Sequence, residues 1–346
     1  MISPKQKLFL LLFFIGAVFA ASAFLFFIVF PRDITINKKD FPKEPETSVP
    51  EKSTKLEEPE ITLFAVGDIM LDRGVAYYVE KAENDDFKSL FSNVADILGV
   101  ADISFANLES VISDKGRKVG SVNSFRALPQ AAEALSWAGF DIVSAANNHA
   151  IDYTKEALED SLKRLNQQGI DYVGAGFNAK EAYSARIKEI KNTKIGFLAF
   201  NVLGSDYWRA GENYSGIAQV SDADLEEIKK MVSEERKKVD ILIISFHWGD
   251  EYRFLPNRFQ EKWGRALIDS GADLIIGHHP HVIQPVEQYN NGWIAYSLGN
   301  FIFDQGFSKE TMEGLLLKVK IKDKKIEEVI SKKVRMNDFF QPSIVE

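Results

Sequence analysis

The sequence predicts an α/β fold whose chemistry gathers at strand ends, set behind an N-terminal membrane segment. Three observations carry that expectation. From about residue 60 onward, short apolar runs alternate with stretches whose apolar residues recur at helical spacing, the pattern of strands joined by helices. The unusual polar residues follow directly after those apolar runs. The first thirty residues, by contrast, hold an uncharged apolar stretch unlike anything after it.

From Leu8 to Phe30 the chain is nearly all Leu, Phe, Ile, Val and Ala, long enough to cross a hydrocarbon core of about 30 Å as a helix. Ala21-Ser22-Ala23 imitates a signal-peptidase site, but the apolar run continues from Phe24 to Phe30, which favours an uncleaved anchor over a removed signal. Residues 1–30 are therefore expected to be a single-pass anchor in the cell membrane, with the bilayer as partner. Lys5 and Lys7 precede the span while Arg32, Lys38, Lys39 and Lys43 follow it, so a count of positive flanks favours the opposite topology. Large domains translocate regardless of such charges, and the C-terminal domain is expected to be extracytoplasmic. Residues 31–60 scatter Pro31, Pro42, Pro45, Pro50 and Pro59 among Lys, Glu, Ser and Thr, a composition suited to a disordered tether. The folded domain is expected over 61–346.

Ile61-Thr62-Leu63-Phe64-Ala65-Val66 opens it as a strand ending in Gly67-Asp68; Phe87 to Val100 reads as helical, and Ile103-Ser104-Phe105-Ala106 as the next strand. Pro129 to Trp137 suits a helix opened by proline, Asp141 to Ala145 a buried strand, and Thr154 to Gln168 a helix closed by Gly169. Tyr172-Val173 begins a third cycle. Ile195 to Phe200, Ile241 to Phe246 and Leu274 to Ile276 are further strands, with helical patterns at Asp222 to Lys237 and Asn257 to Ile268. Near the end, Trp293 to Ser297, Met312 to Ile321 and Ile326 to Val334 follow one another without helices, which predicts antiparallel strands completing a sheet.

Composition narrows the chemistry. Hydrophobic residues at 45% and charged residues at 27% suit a globular domain with a sizeable core. A net charge of -8 argues against nucleic acid as a partner, because that affinity rests on neutralising phosphates with Lys and Arg. Zero cysteines exclude thiolate nucleophiles, cysteine zinc sites, disulfides and a lipoprotein cysteine anchor.

Three of the five histidines fall in Gly277-His278-His279-Pro280-His281, directly after an apolar run. Asp68 follows the first strand, Glu109 the second, Asn147-Asn148-His149 the third, and His247 ends the run from Ile241. If those strands are parallel, Asp68, Glu109, Asn148, His247, His279 and His281 arrive at one edge, where open α/β sheets bind ligands. Singly, each has an ordinary structural role, as a cap, a turn residue or a core histidine. Jointly they form a mixed oxygen and nitrogen shell for divalent ions, in which carboxylates bridge and imidazoles suit Mn, Zn or Fe. Two cations about 4 Å apart can orient a phosphate and activate water. Arg126 in Ser124-Phe125-Arg126-Ala127 could meet an acidic polymer, and Tyr207-Trp208-Arg209 either forms a ligand loop or covers a core edge.

Gly67-Asp68, Asn148-His149, Ser245-Phe246-His247 and Gly277-His278-His279-Pro280-His281 resemble the ordered motifs of calcineurin-like metallophosphoesterases. More narrowly, Phe64-Ala65-Val66-Gly67-Asp68-Ile69-Met70-Leu71, Ala106-Asn107-Leu108-Glu109, Ala146-Asn147-Asn148-His149-Ala150-Ile151-Asp152 and Tyr296-Ser297-Leu298-Gly299-Asn300-Phe301 resemble the CapA family of capsule and poly-γ-glutamate synthesis, over roughly Ile61 to Asp304. The resemblance implies a metallophosphatase-like four-layer sandwich, two packed mixed sheets flanked by helices. It implies Asp68 and His281 on one metal, Glu109 bridging, and Asn148, His247 and His279 on the second. It further implies His149 facing substrate as general acid or oxyanion stabiliser, and Arg73, after the Asp68 loop, is placed to clamp an anionic group. Two departures stand out. Met70 occupies the position two after Asp68 where the phosphoesterases have a histidine, and Asn107-Leu108-Glu109 replaces their bridging Gly-Asp. His278 reads as a turn or supporting residue, and Asn300 and Asp304, after Leu298-Gly299, are expected to line the same cleft.

The expectation is a membrane-anchored protein acting on an anionic cell-surface polymer, poly-γ-glutamate, or on a phosphoester, by metal-assisted hydrolysis or transfer. Other membrane subunits of a polymer synthase are candidate partners. The alternatives are a non-catalytic metal-binding assembly subunit, which Met70 favours, and a general metallophosphoesterase.

Overall fold

The computed structural model describes residues 59–119 and 122–345. The apolar stretch Leu8–Phe30, and all of the expected tether but its last two residues, lie outside that set. Among the described residues, no helix is long and apolar enough to cross a membrane.

Two sheets account for the strands that carry the polar residues. The eight-stranded sheet orders Pro342–Ile344, Lys325–Met336, Glu313–Lys322, Ile61–Ile69, Ile103–Leu108, Ile142–Ser144 and Asp171–Val173, with Asn300–Ile302 pairing beside Ile61–Ile69. From Ile61–Ile69 through Asp171–Val173 its neighbours run parallel, as the alternation of strand and helix requires. The six-stranded sheet orders Val286–Tyr289, Gly292–Ala295, Leu274–His278, Ile241–His247, Thr193–Asn201 and Arg186–Ile190, and its inner four are likewise parallel.

Side-chain alternation shows how the layers stack. Leu63, Ala65 and Phe105 of the larger sheet share one buried cluster with Phe197, Ala199, Ile243 and Ile276 of the smaller, so these faces pack on each other. The alternate residues Phe64, Val66 and Val143 instead pack with Val75 and Val79 of helix Arg73–Ala82 and Leu158, Leu162 and Leu165 of helix Thr154–Gln167. On the far side, Leu198, Leu242 and Ile275 meet Ile228 and Val232 of helix Leu225–Arg236 and Trp263 and Leu267 of helix Arg258–Asp269. The order is helix, sheet, sheet, helix. Strands buried on both faces read as continuous apolar runs, which is why they stood out in the sequence.

Two expectations change. Phe87 to Val100 is not one helix but a 3-10 turn, Phe87–Phe91, and a single helical turn, Ala95–Leu98. Phe87, Leu90, Phe91, Val94 and Leu98 are still all buried, so two short turns satisfy the same spacing. Gly292–Ala295 does not join the C-terminal antiparallel strands. It belongs to the smaller sheet, parallel to Leu274–His278, because the hairpin from Val286–Tyr289 reverses the chain first. Glu313–Lys322 and Lys325–Met336 do run antiparallel, at the edge of the larger sheet.

Candidate functional site

The parallel strands of both sheets end at the same pole, and the six expected ligands arrive there from two sheets, three from each. Asp68 lies at a register irregularity of the first strand, opposite Asn107, where a local bulge re-aims a side chain. The backbones approach closely here: a Cβ added to Gly67 would lie 2.0 Å from the Gly299 carbonyl oxygen, and Asp68 N donates to that same oxygen at 3.0 Å. Glu109, Asn148 and His149 follow the next two strands. His247 ends its strand in register with His278. His279 and His281 both adopt positive φ, 97° and 56°, a conformation that costs a non-glycine residue energy and clusters at functional sites.

Asp68, Glu109, His247, His279 and His281 are all buried. Asp68 Oδ1 accepts from Asn107 Nδ2 at 2.8 Å, and its Oδ2 accepts from the backbone N–H of His279 at 3.1 Å. His278 Nδ1 lies 3.2 Å from Asp68 Oδ1. Asn107 Nδ2 also reaches Glu109 Oε2 at 3.3 Å and sits 3.4 Å from His247 Nδ1. His247 Nε2 is 2.9 Å from Asn148 Oδ1. Asn300 Nδ2 donates to the Thr311 carbonyl, which turns its Oδ1 to His281 Nδ1 at 3.0 Å. His281 therefore carries its proton on Nδ1, leaving Nε2 bare at 3.7 Å from Glu109 Oε1.

Electrostatics and unmet hydrogen bonds agree on what the cluster suits. Burial alone would raise Asp68, but His278, His281 and the Asn107 amide hold it below the usual carboxylate range. Burial, reinforced by the Asp68 charge, pushes Glu109 well above that range. Burial likewise drives His247 well down and, with His281 beside it, His279 to about 3. Neutral imidazoles are the ligating form. Glu109 Oε1 and His279 Nδ1 are buried without a hydrogen-bond partner, a costly state that a cation relieves. Asp68, Glu109 and His247 present ligand atoms within 4.8 Å of one another, as do Glu251, His279 and His281. The residues present fit divalent ions.

Beside the cluster, His149 Nδ1 meets Asp152 Oδ2 at 2.7 Å, and its Nε2 lies 3.8 Å from Glu109 Oε1. Phe125 stacks on the His149 ring with centroids 3.9 Å apart, and Arg73 lies over Phe125 at 4.6 Å. The Arg73 guanidinium is engaged by Asp304 through both Nε and Nη2, so its charge is already partnered. Met70 is buried in the apolar cluster beneath the helices, where its Sδ accepts from Asp72 N at 3.1 Å.

Three residues of the site were not singled out as candidates from the sequence. Asn107 and Asp152 lay inside quoted motifs but look like ordinary turn residues, whereas Asn300 and Asp304, expected beside the cleft, contact His281 and Arg73 there. Glu251 is exposed, in a loop without periodicity.

The family model described as bacterial capsule synthesis protein PGA_cap matches residues 62–305. The PGA biosynthesis protein CapA of Bacillus subtilis (strain 168) is 35% identical over 74% of this chain and 67% of its own length. The capsule biosynthesis protein CapA of Bacillus anthracis is 32% identical over 77% of this chain and 65% of its own. The chain thus spans about two thirds of the length of these relatives. A solved phosphatase from Mycoplasma pneumoniae superposes with a TM-score of 0.46 at 15% identity, over 80% of this chain and 94% of that one, too loose a likeness to bear on the reaction. On the family model and these relatives, the chain belongs to the bacterial capsule synthesis protein family PGA_cap.

Proposed function

We propose that this protein acts, anchored in the membrane by Leu8–Phe30, in the synthesis, export or processing of an anionic capsule polymer, poly-γ-glutamate, through divalent-metal-dependent hydrolysis or transfer. The observation that carries the reading is the pair of buried, unpartnered atoms Glu109 Oε1 and His279 Nδ1 within a shell of carboxylate, amide and imidazole donors. Instead of the division that the resemblance implies, the spacing of ligand atoms favours Asp68, Glu109 and His247 around one ion and His279 and His281, with Glu251, around the other; Asn148 adds a carbonyl oxygen beside His247. When bound, such ions polarise an anionic substrate group and acidify water.

The chain's own residues supply the rest. Asp152 accepts from Nδ1–H of His149 and so aims Nε2 at the cluster, where it can pass a proton to a leaving oxygen or amine. Phe125 keeps that imidazole in place and shields one of its faces. Arg73, paired with Asp304, lies over the Phe125 ring at 4.6 Å and helps to hold it.

The test is metal content and turnover of the full-length protein. We expect activity on γ-glutamyl polymer or model phosphoesters that depends on added Mn or Zn, and a His149→Ala variant that keeps its metal but loses about 10²-fold or more in rate. Intact polymer formation in cells carrying His149→Ala would instead favour a non-catalytic assembly subunit, the reading supported by Met70 standing in the apolar core. Protease accessibility on intact cells tests the anchor: a C-terminal domain protected from external protease contradicts extracytoplasmic placement.

A further inference from the structure

Among the described residues many cations pair with carboxylates, as Lys88 does with Glu133, Lys191 with Asp102, Arg209 with Asp224, and Lys333 and Arg335 with Glu313. Arg126 and Lys155, like Lys163 over Phe177, lie on aromatic rings instead. Among the described residues, neither side-chain cation has a carboxylate in ion-pair reach, although Asp72 accepts from the Arg126 backbone N–H at 2.7 Å. The Arg126 guanidinium lies 4.3 Å over the Tyr153 ring and spends one N–H on the Lys115 carbonyl. The Lys155 ammonium lies 4.2 Å from the Tyr214 ring and 5.0 Å from the Tyr207 ring, and those two rings are 55% and 70% exposed. These residues adjoin the site along the chain. Phe125, stacked on His149, precedes Arg126, and Tyr153 directly follows Asp152, the partner of His149.

The backbone beneath this run is fixed. Thr154, a β-branched residue, is held at φ 75°, a strained conformation that only surrounding structure sustains. Gly116 packs so closely on it that an added Cβ would lie 1.9 Å from the Tyr153 carbonyl oxygen. Cations laid on aromatic faces, with no acid to neutralise them, offer charge for carboxylates and apolar area for the methylenes between them.

We propose that Arg126, Tyr153, Lys155, Tyr207 and Tyr214 form a track that binds an extended polycarboxylate chain and leads it to the His149 side of the site. The proposal rests on the reading that the ligand is an anionic polymer. It separates the roles in Tyr207-Trp208-Arg209: Tyr207 faces ligand, whereas Arg209 is committed to Asp224 and Trp208 packs against the core.

The test titrates full-length protein with a fluorescent γ-linked glutamate oligomer across a series of salt concentrations, and in parallel with Mn²⁺ alone. The double variant Arg126→Ala/Lys155→Ala should lose about tenfold or more in oligomer affinity, as expected for two lost charge-assisted contacts, with a shallower salt dependence and unchanged Mn²⁺ uptake. Exchanging the cations, Arg126→Lys with Lys155→Arg, should restore most of the affinity. Oligomer affinity that ignores the double substitution while Mn²⁺ still binds overturns the track alone. Oligomer binding through these residues without Mn²⁺ uptake supports the track and overturns the metal reading. Tighter binding of inorganic polyphosphate than of the oligomer overturns the polycarboxylate assignment.

Discussion

At Asn107 one amide nitrogen serves two buried carboxylates, donating to Asp68 at 2.8 Å and reaching Glu109 at 3.3 Å, while Asn147 Nδ2 reaches its carbonyl oxygen at 3.2 Å. Removing the side chain leaves the ligands in place but frees their orientation. Asn107→Ala should therefore weaken Mn²⁺ affinity about 10- to 100-fold, read by calorimetric titration; an unchanged affinity would remove Asn107 from the site's support. Asn300 has the same standing for His281, since its amide fixes the imidazole's tautomer. At this scale the ligand candidates were legible because Asp, Glu, Asn and His placed just past apolar runs are conspicuous. Asn107, Asp152 and Glu251 were not: Asn107 takes its meaning from Asp68, 39 residues away, and nothing local marks Asp152 or Glu251 as part of the site.

Elements hold these residues by close approach and by ion pairs. Gly67 lets the first strand meet the Gly299 backbone, so Gly67→Ala should cost about 1–3 kcal/mol through overpacking, measured by urea unfolding of residues 56–346. Asp160 on helix Thr154–Gln167 ties down the loop that abuts Tyr153, accepting from Ser113 Oγ at 2.8 Å and pairing with Lys115 and Arg164. Burial would raise its carboxyl, but Lys115, Arg164 and Ser113 hold it down at about 2. Since the folded value lies below the unfolded one, this stabilisation is complete above about pH 4 and is lost as pH falls through about 2. Asp160→Asn should cost roughly 2 kcal/mol at pH 7, a difference that vanishes as unfolding is measured toward pH 2. The buried strands and long amphipathic helices were readable from their periods. The split of Phe87–Val100 was not, because one apolar spacing serves a helix or two turns, and neither was the parallel setting of Gly292–Ala295, which a hairpin decides.

For the molecule as a whole, the sequence showed polar residues converging on one strand-end pole, but not that two sheets supply them. That division came from the resemblance, since no local pattern says which strands share a sheet. The architecture explains the site's character: two sheets stacked face to face bury the pole enough to keep its imidazoles neutral and its Glu109 oxygen without a partner. The central claim is that this pole holds divalent metal, and metal content of the purified full-length protein, before and after Mn²⁺ loading, tests it most directly. The account predicts stoichiometric metal in the native chain, and its loss in Glu109→Gln and His247→Ala variants that retain the native fold by circular dichroism. A native chain that takes up no stoichiometric metal, or variants that hold as much as the native chain, would contradict it.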